Sequence, residues 1–162
     1  MKIINFQTIG FTIFELLFFN DFNENMPRIL AIDYGLKRTG LAVTDPLKII
    51  ATALETVETK VLLDFLKKYV LLEDVECFVL GLPVGLDSKD TDSTSAVKLF
   101  YKILELNFPS IPVEYEDERF TSKMAFRVMI ESGMKKKDRR IKGNVDKISA
   151  VIILQSFLSK SY

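Results

Sequence analysis

Three acidic residues, Asp33, Glu118 and Asp146, fall at the ends of segments that the sequence predicts to be regular elements. Asp33 closes the apolar run 29–32, whose lack of polar alternation indicates a strand covered on both faces. A carboxylate that ends such a strand is costly to bury unless a metal or a cation satisfies it. Because Gly35 follows at once, the segment indicates either a phosphate or metal site, or an Asp that only organises the turn.

The types of side chain available narrow the chemistry of such a site. The chain has no His and a single Cys, which excludes His-based nucleophile triads, the usual zinc sites and an internal disulfide framework. A metal would therefore be held by oxygen, which favours Mg²⁺ or Mn²⁺. Clustered carboxylates can hold two such ions about 4 Å apart and support phosphodiester hydrolysis without a side-chain nucleophile.

The other two acids have both a catalytic and a structural interpretation. Glu118 ends the fifth predicted strand, and strand alternation sends Asp117 to the opposite face, so only one of them should reach a metal. Asp146 falls in the first turn of the last predicted helix, on a face whose later positions are apolar. It could simply stabilise the helix N-terminus, and Glu118 could pair with Arg119 or a surface lysine. Spacing alone does not show that the acids converge.

Positive charge is concentrated locally, although 22 basic and 22 acidic residues give a net charge of zero. Residues 135–142 hold six basic residues against one Asp. Such a run is usually a solvated loop or helix end, but it could also contact a phosphate backbone without sequence preference. Arg119 could orient a carboxylate, meet the scissile phosphate or serve as a structural ion-pair partner. The candidate nucleic-acid-binding residues are Lys37, Arg38, Arg119, Lys135, Lys136, Lys137, Arg139, Arg140 and Lys142.

The elements that must position these residues are predicted in the order βββαβαβαα. Three strands joined by short turns indicate an antiparallel meander, and the later alternation indicates a mixed sheet with helices on both faces. This is an α/β fold with the ribonuclease H-like topology. The predicted strands are 29–33, 41–43, 49–57, 77–80 and 113–118, the helices are 60–72, 96–104, 121–131 and 145–158, and 87–94 is a polar loop.

The first 25 residues differ from the rest of the chain. Their apolar run, 9–19, is short and contains Glu15, which is too little for a membrane span. No small-residue cleavage pattern follows it, as a signal peptide would require. We therefore expect Met26 to be the natural start, residues 1–25 to be an upstream extension and residues 27–160 to form one domain, with no membrane partner.

Four segments carry a resemblance to a known family, and they follow one another in the family's order. They read ILAIDYGLKRTGLAV (29–43), FVLGLPVGLD (78–87), VEYEDERFTS (113–122) and NVDKISAVIILQS (144–156). With them the chain resembles the YqgF/RuvX family of pre-16S rRNA nucleases and Holliday-junction-resolvase-like proteins. The resemblance implies a ribonuclease H-like fold and a cytoplasmic hydrolase that trims the 5′ end of the small-subunit rRNA precursor. It also assigns the family's acidic positions to Asp33, Glu118 and Asp146.

These patterns leave three functions open as hypotheses. The first is a metal-dependent nuclease acting on structured RNA. The second is resolution of branched DNA, which would need a symmetric homodimer because two strands must be cut. The third is a non-catalytic RNA-binding ribosome-assembly factor whose acids serve structure. An actin-like ATPase, which the Asp-x-Gly turn alone would allow, is excluded because its two duplicated lobes do not fit into the residues after Met26.

Overall fold

A mixed five-stranded sheet lies at the centre of the fold. The structure is a computed structural model that describes residues 26–83, 92–118 and 121–161. The strands lie in the order β3-β2-β1-β4-β5, with β1 antiparallel to β2, β2 antiparallel to β3, and β1, β4 and β5 mutually parallel. The predicted α/β ribonuclease H-like architecture is confirmed. The strands are β1 (Arg28–Tyr34), β2 (Arg38–Thr44), β3 (Ala51–Glu58), β4 (Val75–Leu82) and β5 (Val113–Asp117). The helices are α1 (Leu62–Tyr69, after the 3-10 turn Thr59–Val61), α2 (Asp92–Asn107), α3 (Thr121–Glu131), α4 (Lys136–Arg139) and α5 (Lys142–Ser161).

Helices cover both faces of the sheet, which explains why the central strands lack polar alternation. On one face Leu30 and Ile32 pack into a cluster with α1 and α2. On the other face Ile29 and Ala31 pack against Ile153 and other apolar side chains of α5. Because side chains alternate along β1, Asp33 belongs to the face that α5 covers.

A tight turn between β1 and β2 fixes the end of β1. A side chain at Gly35 would collide with the main-chain carbonyl of Arg38, so the turn needs glycine there. The Thr59 hydroxyl donates to the Gly35 carbonyl oxygen at 2.5 Å, and the Thr39 hydroxyl lies 3.1 Å from that of Thr59. The register then places Asp33 directly opposite Gly40 in β2.

Several predicted boundaries are wrong. Helix α2 begins at Asp92, inside the predicted polar loop, while residues 84–91 lie outside the described part of the chain. The basic run, predicted to be a loop or helix end, contains the one-turn helix α4. Helix α5 begins at Lys142 rather than at 145, so Asp146 lies in its second turn. Gly143 is a poor helix former, but its carbonyl accepts a 2.9 Å hydrogen bond from Thr56, a tertiary contact that propensity does not reveal.

The interpretation of residues 1–25 as an upstream extension stays a prediction, because those residues lie outside the described ranges. Within the ranges that the structure describes, none of the helices has the length and apolar character that a bilayer crossing requires.

Candidate active site

Asp33 and Glu118 meet on the sheet face beneath α5. Glu118 directly follows β5 and still donates its backbone N–H to the Leu82 carbonyl at 3.3 Å, so it continues the strand's direction. Its carboxyl group is hydrogen-bonded to that of Asp33. Gly81 makes this contact possible, because a Cβ at that position would collide with the Glu118 carboxylate. The structure therefore brings together two acids that are 85 residues apart in the sequence.

The choice between Asp117 and Glu118 follows from the alternation along β5. Tyr115 stacks on Tyr101 of α2 with ring centroids 4.6 Å apart, so Asp117, two residues later, belongs to the α2 face. Glu116 and Glu118 belong to the α5 face. Of the two neighbouring acids Asp117 and Glu118, Glu118 is therefore the one on the same face as Asp33.

The paired acids hold protons at unusually high pH. Burial raises the pKa of Asp33 from 3.8 to about 7; repulsion from Asp146 contributes to the rise, and the hydrogen bond with Glu118 opposes it. Burial, the nearby charge of Asp33 and the hydrogen bond between them raise the pKa of Glu118 from 4.5 to about 8. Two carboxylates in contact cannot both ionise cheaply, so at neutral pH the pair shares a proton.

Glu116 is a buried acid on the same face that, unlike Asp33 and Glu118, is paired with one of the basic residues that the structure describes. It is 4% exposed, and it accepts hydrogen bonds from Lys160 at 2.5 Å and Ser156 at 2.7 Å, both on α5. A lysine therefore compensates this buried carboxylate. In the described part of the chain, the ion pairs include neither Asp33 nor Glu118. The pair is thus the arrangement that an added cation would stabilise.

Asp146 approaches the pair from α5. A side chain at Gly40 would overlap the main-chain carbonyl of Asp146, so the bare glycine lets α5 lie directly on β2 opposite Asp33. Asp146 is close enough to raise the pKa of Asp33 by repulsion. However, its Oδ2 accepts a 3.0 Å hydrogen bond from Nε of Arg38, so this third acid is engaged in an ion pair.

All three acids carry the oxygen ligands that a divalent cation prefers, and Asp33 and Glu118 also lie in contact with each other. Among residues 26–83, 92–118 and 121–161, no three His, Cys, Asp or Glu side chains are arranged to hold a metal ion. Asp33 and Glu118 nevertheless form a pair of like-charged oxygen ligands whose raised pKa values a cation would lower. Asp146 is a third oxygen ligand for which Arg38 competes.

The predicted nucleic-acid-binding residues divide into three groups. Arg38 is half-buried and engaged with Asp146, and Arg119 lies outside the described residues. Arg139 is partly buried, with its guanidinium 5.8 Å from the centre of the Phe126 ring. The exposed side chains are those of Lys37, Lys135, Lys136, Lys137, Arg140 and Lys142.

The basic run leads into the acidic site. Lys142 begins α5 and Asp146 follows four residues later, which is about 6 Å along the helix axis. The side-chain amide of Asn144 donates to the Asp138 carbonyl at 2.8 Å and ties α4 to the start of α5. Positive charge is therefore fixed beside the carboxylates rather than on a separate surface.

Sequence reasoning missed Gly40, Gly81 and Phe126. A signal for the glycines was present, since glycine inside a strand pattern marks a close approach of another group. No pattern distinguished Phe126 from the other apolar residues of α3.

A cavity of about 680 Å³ lies at the other end of the sheet. Met26, Pro27, the turn 46–49 and the last turns of α5 line it, so it borders the start of β1 while Asp33 lies at the strand's end. Six residue steps along β1, roughly 20 Å, separate Pro27 from Asp33. The cavity is therefore not part of the carboxylate site.

Comparison with known proteins gives consistent matches over nearly the whole fold. The model of the RuvX family, described as "Holliday junction resolvase", matches residues 27–160. A "Putative pre-16S rRNA nuclease" of Porphyromonas gingivalis is 59% identical over 133 residues, covering 82% of this chain and 96% of the relative. A protein of the same name from Amoebophilus asiaticus is 54% identical over 134 residues, covering 83% and 95%.

Among solved structures, "T. thermophilus RuvC in complex with Holliday junction substrate" aligns with a TM-score of 0.49 and 17% identity, covering 83% of this chain and 96% of that chain. Function is inferred from the sequence matches rather than from this structural likeness. The sequence matches extend from β1 to α5 and include all three acidic positions.

Proposed function

Because this chain belongs to the RuvX family and is a nuclease, we propose that Asp33, Glu118 and Asp146 form its catalytic centre and that it processes the 5′ end of pre-16S rRNA. The observation that carries the assignment of the centre is the hydrogen-bonded pair of Asp33 and Glu118 beneath α5. Two partly buried carboxyl groups in contact lower stability unless a cation or substrate compensates them. The names of the relatives support the substrate, and such processing would take place in the cytoplasm.

We infer that Asp33 and Glu118 hold a divalent cation, Mg²⁺ or Mn²⁺, with Asp146 as a further oxygen ligand. The cation would supply an activated water and stabilise charge on the phosphate oxygens. For this, Asp33 and Glu118 must release the proton that they share, and Asp146 must leave the guanidinium of Arg38. Arg38 is thereby freed to meet the substrate phosphate, next to the exposed Lys37 at the same turn.

The basic run 135–142 would contact the sugar-phosphate backbone of the RNA next to the cleavage site. Its exposed lysines and Arg140 form contacts that carry no sequence information and weaken with salt. The acids would then provide hydrolysis and the basic run would provide affinity.

The test is cleavage of an RNA with a 5′-extended 16S terminus by the Asp33→Asn variant in Mg²⁺ or Mn²⁺. We expect a loss of at least about 100-fold, because even outer-shell partners of metal ligands cost 10–100-fold when removed. Asp64→Asn, an exposed acid on α1 across the sheet, is the matched control and should cleave like the parent. Asp33→Asn should bind the RNA with an unchanged salt slope. Full activity of this variant would exclude the proposed centre.

Resolution of branched DNA is the second candidate, because the matching family model is described as a Holliday junction resolvase. The same acids would cut, but two symmetric cuts require a homodimer. A four-way DNA junction tested beside the RNA, at matched salt and Mg²⁺, separates the two candidates. Paired symmetric incisions by a dimer would favour the junction, and cleavage of the RNA alone would favour rRNA processing.

A further inference from the structure

We propose that Phe126 and Arg139 form a stacking platform for an unpaired base of the substrate, so that the enzyme takes strands with a single-stranded segment next to the cut. This inference rests on the proposed nuclease function. It adds a base-binding site on α3 and α4 to the backbone contacts of the basic run.

The first observation is an apolar surface on α3. Ala125 and Met129 are buried, whereas Phe126 and Ile130, one turn apart on the same flank of α3, are each 49% exposed. Ile141, after α4, is 54% exposed. Exposed apolar side chains are ordinary singly, but a group of them on one helix marks a binding surface.

The second observation is the positive charge around this surface, which indicates what kind of molecule binds there. Residues 121–142 contain eight Lys and Arg residues against two acidic residues. A symmetric contact with a second copy of the chain would bring the same positive surface against itself, which is unfavourable. An apolar, aromatic surface within strong positive charge matches a single-stranded nucleic acid, in which bases and phosphates are both accessible.

The third observation is the way Arg139 is held. Its guanidinium lies 5.8 Å from the centroid of the Phe126 ring. Its Nε is buried and has no hydrogen-bond partner among the described residues. The arginine is thus placed against one side of the ring, while the ring as a whole stays half exposed. An aromatic ring with an adjacent guanidinium is the combination on which bases stack.

The fourth observation is continuity with the acidic site. Helix α4 carries Arg139 and is tied to α5 by the hydrogen bond from Asn144 to Asp138. Lys142 and Asp146 then follow on α5. A strand leaving the carboxylates can therefore pass over the basic run before a base reaches Phe126.

The experiment measures binding of a short single-stranded RNA, and of the same strand with abasic residues, by fluorescence anisotropy without divalent cations. We expect Phe126→Ala to weaken binding of the intact strand about 5- to 100-fold, as loss of one base–aromatic stack does. The abasic strand should bind the parent and Phe126→Ala equally. Phe126→Trp should restore affinity for the intact strand. Val128→Ala, on the same helix and 43% exposed, is the matched control and should bind like the parent.

Three results would overturn the platform. The first is equal binding of the intact strand by Phe126→Ala and the parent, and the second is an equal loss for intact and abasic strands. The third is a change of oligomeric mass in Phe126→Ala without a change in RNA binding, which would assign the surface to a second copy of the chain. Because no cleavage is measured, this experiment can fail while Asp33→Asn still abolishes hydrolysis, and the reverse also holds.

Discussion

The two faces of the sheet use different kinds of residue. The face beneath α1 and α2 is filled by large apolar and aromatic side chains, including Phe78 packed edge-on against Phe108 and Tyr34 stacked on Phe100. The face beneath α5 combines apolar side chains such as Ile29 and Val79 with small residues and acids. These are Ala31, Ala42, Gly40, Gly81, Asp33, Glu116 and Glu118.

The two faces therefore contribute differently: the α1–α2 face mainly stabilises the fold, and the α5 face carries the carboxylate site. Large side chains on the α1–α2 face bury apolar area, which is the main favourable contribution to folding. Small residues on the α5 face bury less, but they let the helix approach until its main chain touches β2. The acids placed in that space lower stability in the absence of a cation. Changes on the two faces should therefore separate in unfolding and activity measurements.

The largest effect on stability is expected on the α1–α2 face. Phe78→Ala removes a fully buried ring and should lower the free energy of unfolding by about 3–5 kcal/mol. Cleavage per folded molecule should stay close to that of the parent, because Phe78 does not contact the acids. Urea denaturation and cleavage rates at low temperature check both parts. A loss of cleavage in molecules that are still folded would remove the distinction between the faces.

The second effect is a pH dependence that belongs to the α5 face. Folded Asp33 and Glu118 titrate at about 7 and about 8, above their ordinary values of 3.8 and 4.5, so between these values the folded state binds more protons than the unfolded state. Stability is therefore full at low pH and falls as pH rises toward about 8, with a slope of about 1.4 kcal/mol per pH unit for one proton. Urea denaturation in EDTA from pH 5 to 8 measures it.

Few groups other than this pair titrate between pH 5 and 8, because the chain has no His. The slope can therefore be assigned with two variants. Asp33→Asn should reduce the slope, because it removes one of the two titrating groups while burial still raises the pKa of Glu118, and Asp64→Asn should leave the slope unchanged. Excess Mg²⁺ should also flatten the slope in the parent by stabilising both carboxylates. A slope in Asp33→Asn as steep as that of the parent would mean that the pair is not its source.

The sequence predicted the features that depend on local patterns. Continuous apolar runs identified β1 and β4, and alternation along β5 indicated that only one of Asp117 and Glu118 faces the site, without deciding which. The convergence of Glu118 on Asp33 came from the family resemblance, since no spacing rule relates two strands that are paired through β4. Local pattern therefore places Asp33 and Glu118 at the ends of their strands, and tertiary packing decides whether they meet.

The features that the sequence did not predict depend on contacts between distant residues. Arg38 and Asp146 are 108 positions apart, and their ion pair exists because α5 crosses β2 at Gly40. The roles of Gly40 and Gly81 are likewise visible only from the groups that pack against them. The short α4 inside the basic run was missed because a four-residue helix has almost no periodicity to detect.

The third effect tests the close approach of α5. Gly40→Ala places a methyl group on the main-chain carbonyl of Asp146, so α5 must move, which should cost about 1–3 kcal/mol and a large part of the cleavage rate. Gly143→Ala is the matched control. Its new Cβ would lie 3.7 Å from Thr56, an ordinary contact, and alanine is the better helix former. The control should fold at least as stably as the parent, and normal cleavage by Gly40→Ala would show that the approach is not needed.

The smallest effect on stability is expected at the Arg38–Asp146 pair, which is partly exposed on both sides. Arg38→Gln should change the unfolding free energy by at most about 1 kcal/mol, because solvent screens such pairs. Its effect on catalysis should be selective. With the guanidinium gone, Asp146 is available as a ligand, so the Mg²⁺ concentration for half-maximal cleavage should fall while KM for RNA rises. Arg38→Lys keeps the charge and should lie between the two. A higher Mg²⁺ requirement in Arg38→Gln would instead show that Arg38 holds Asp146 in place for the cation. Arg38 would then help to form the metal site and would not compete with the cation for Asp146.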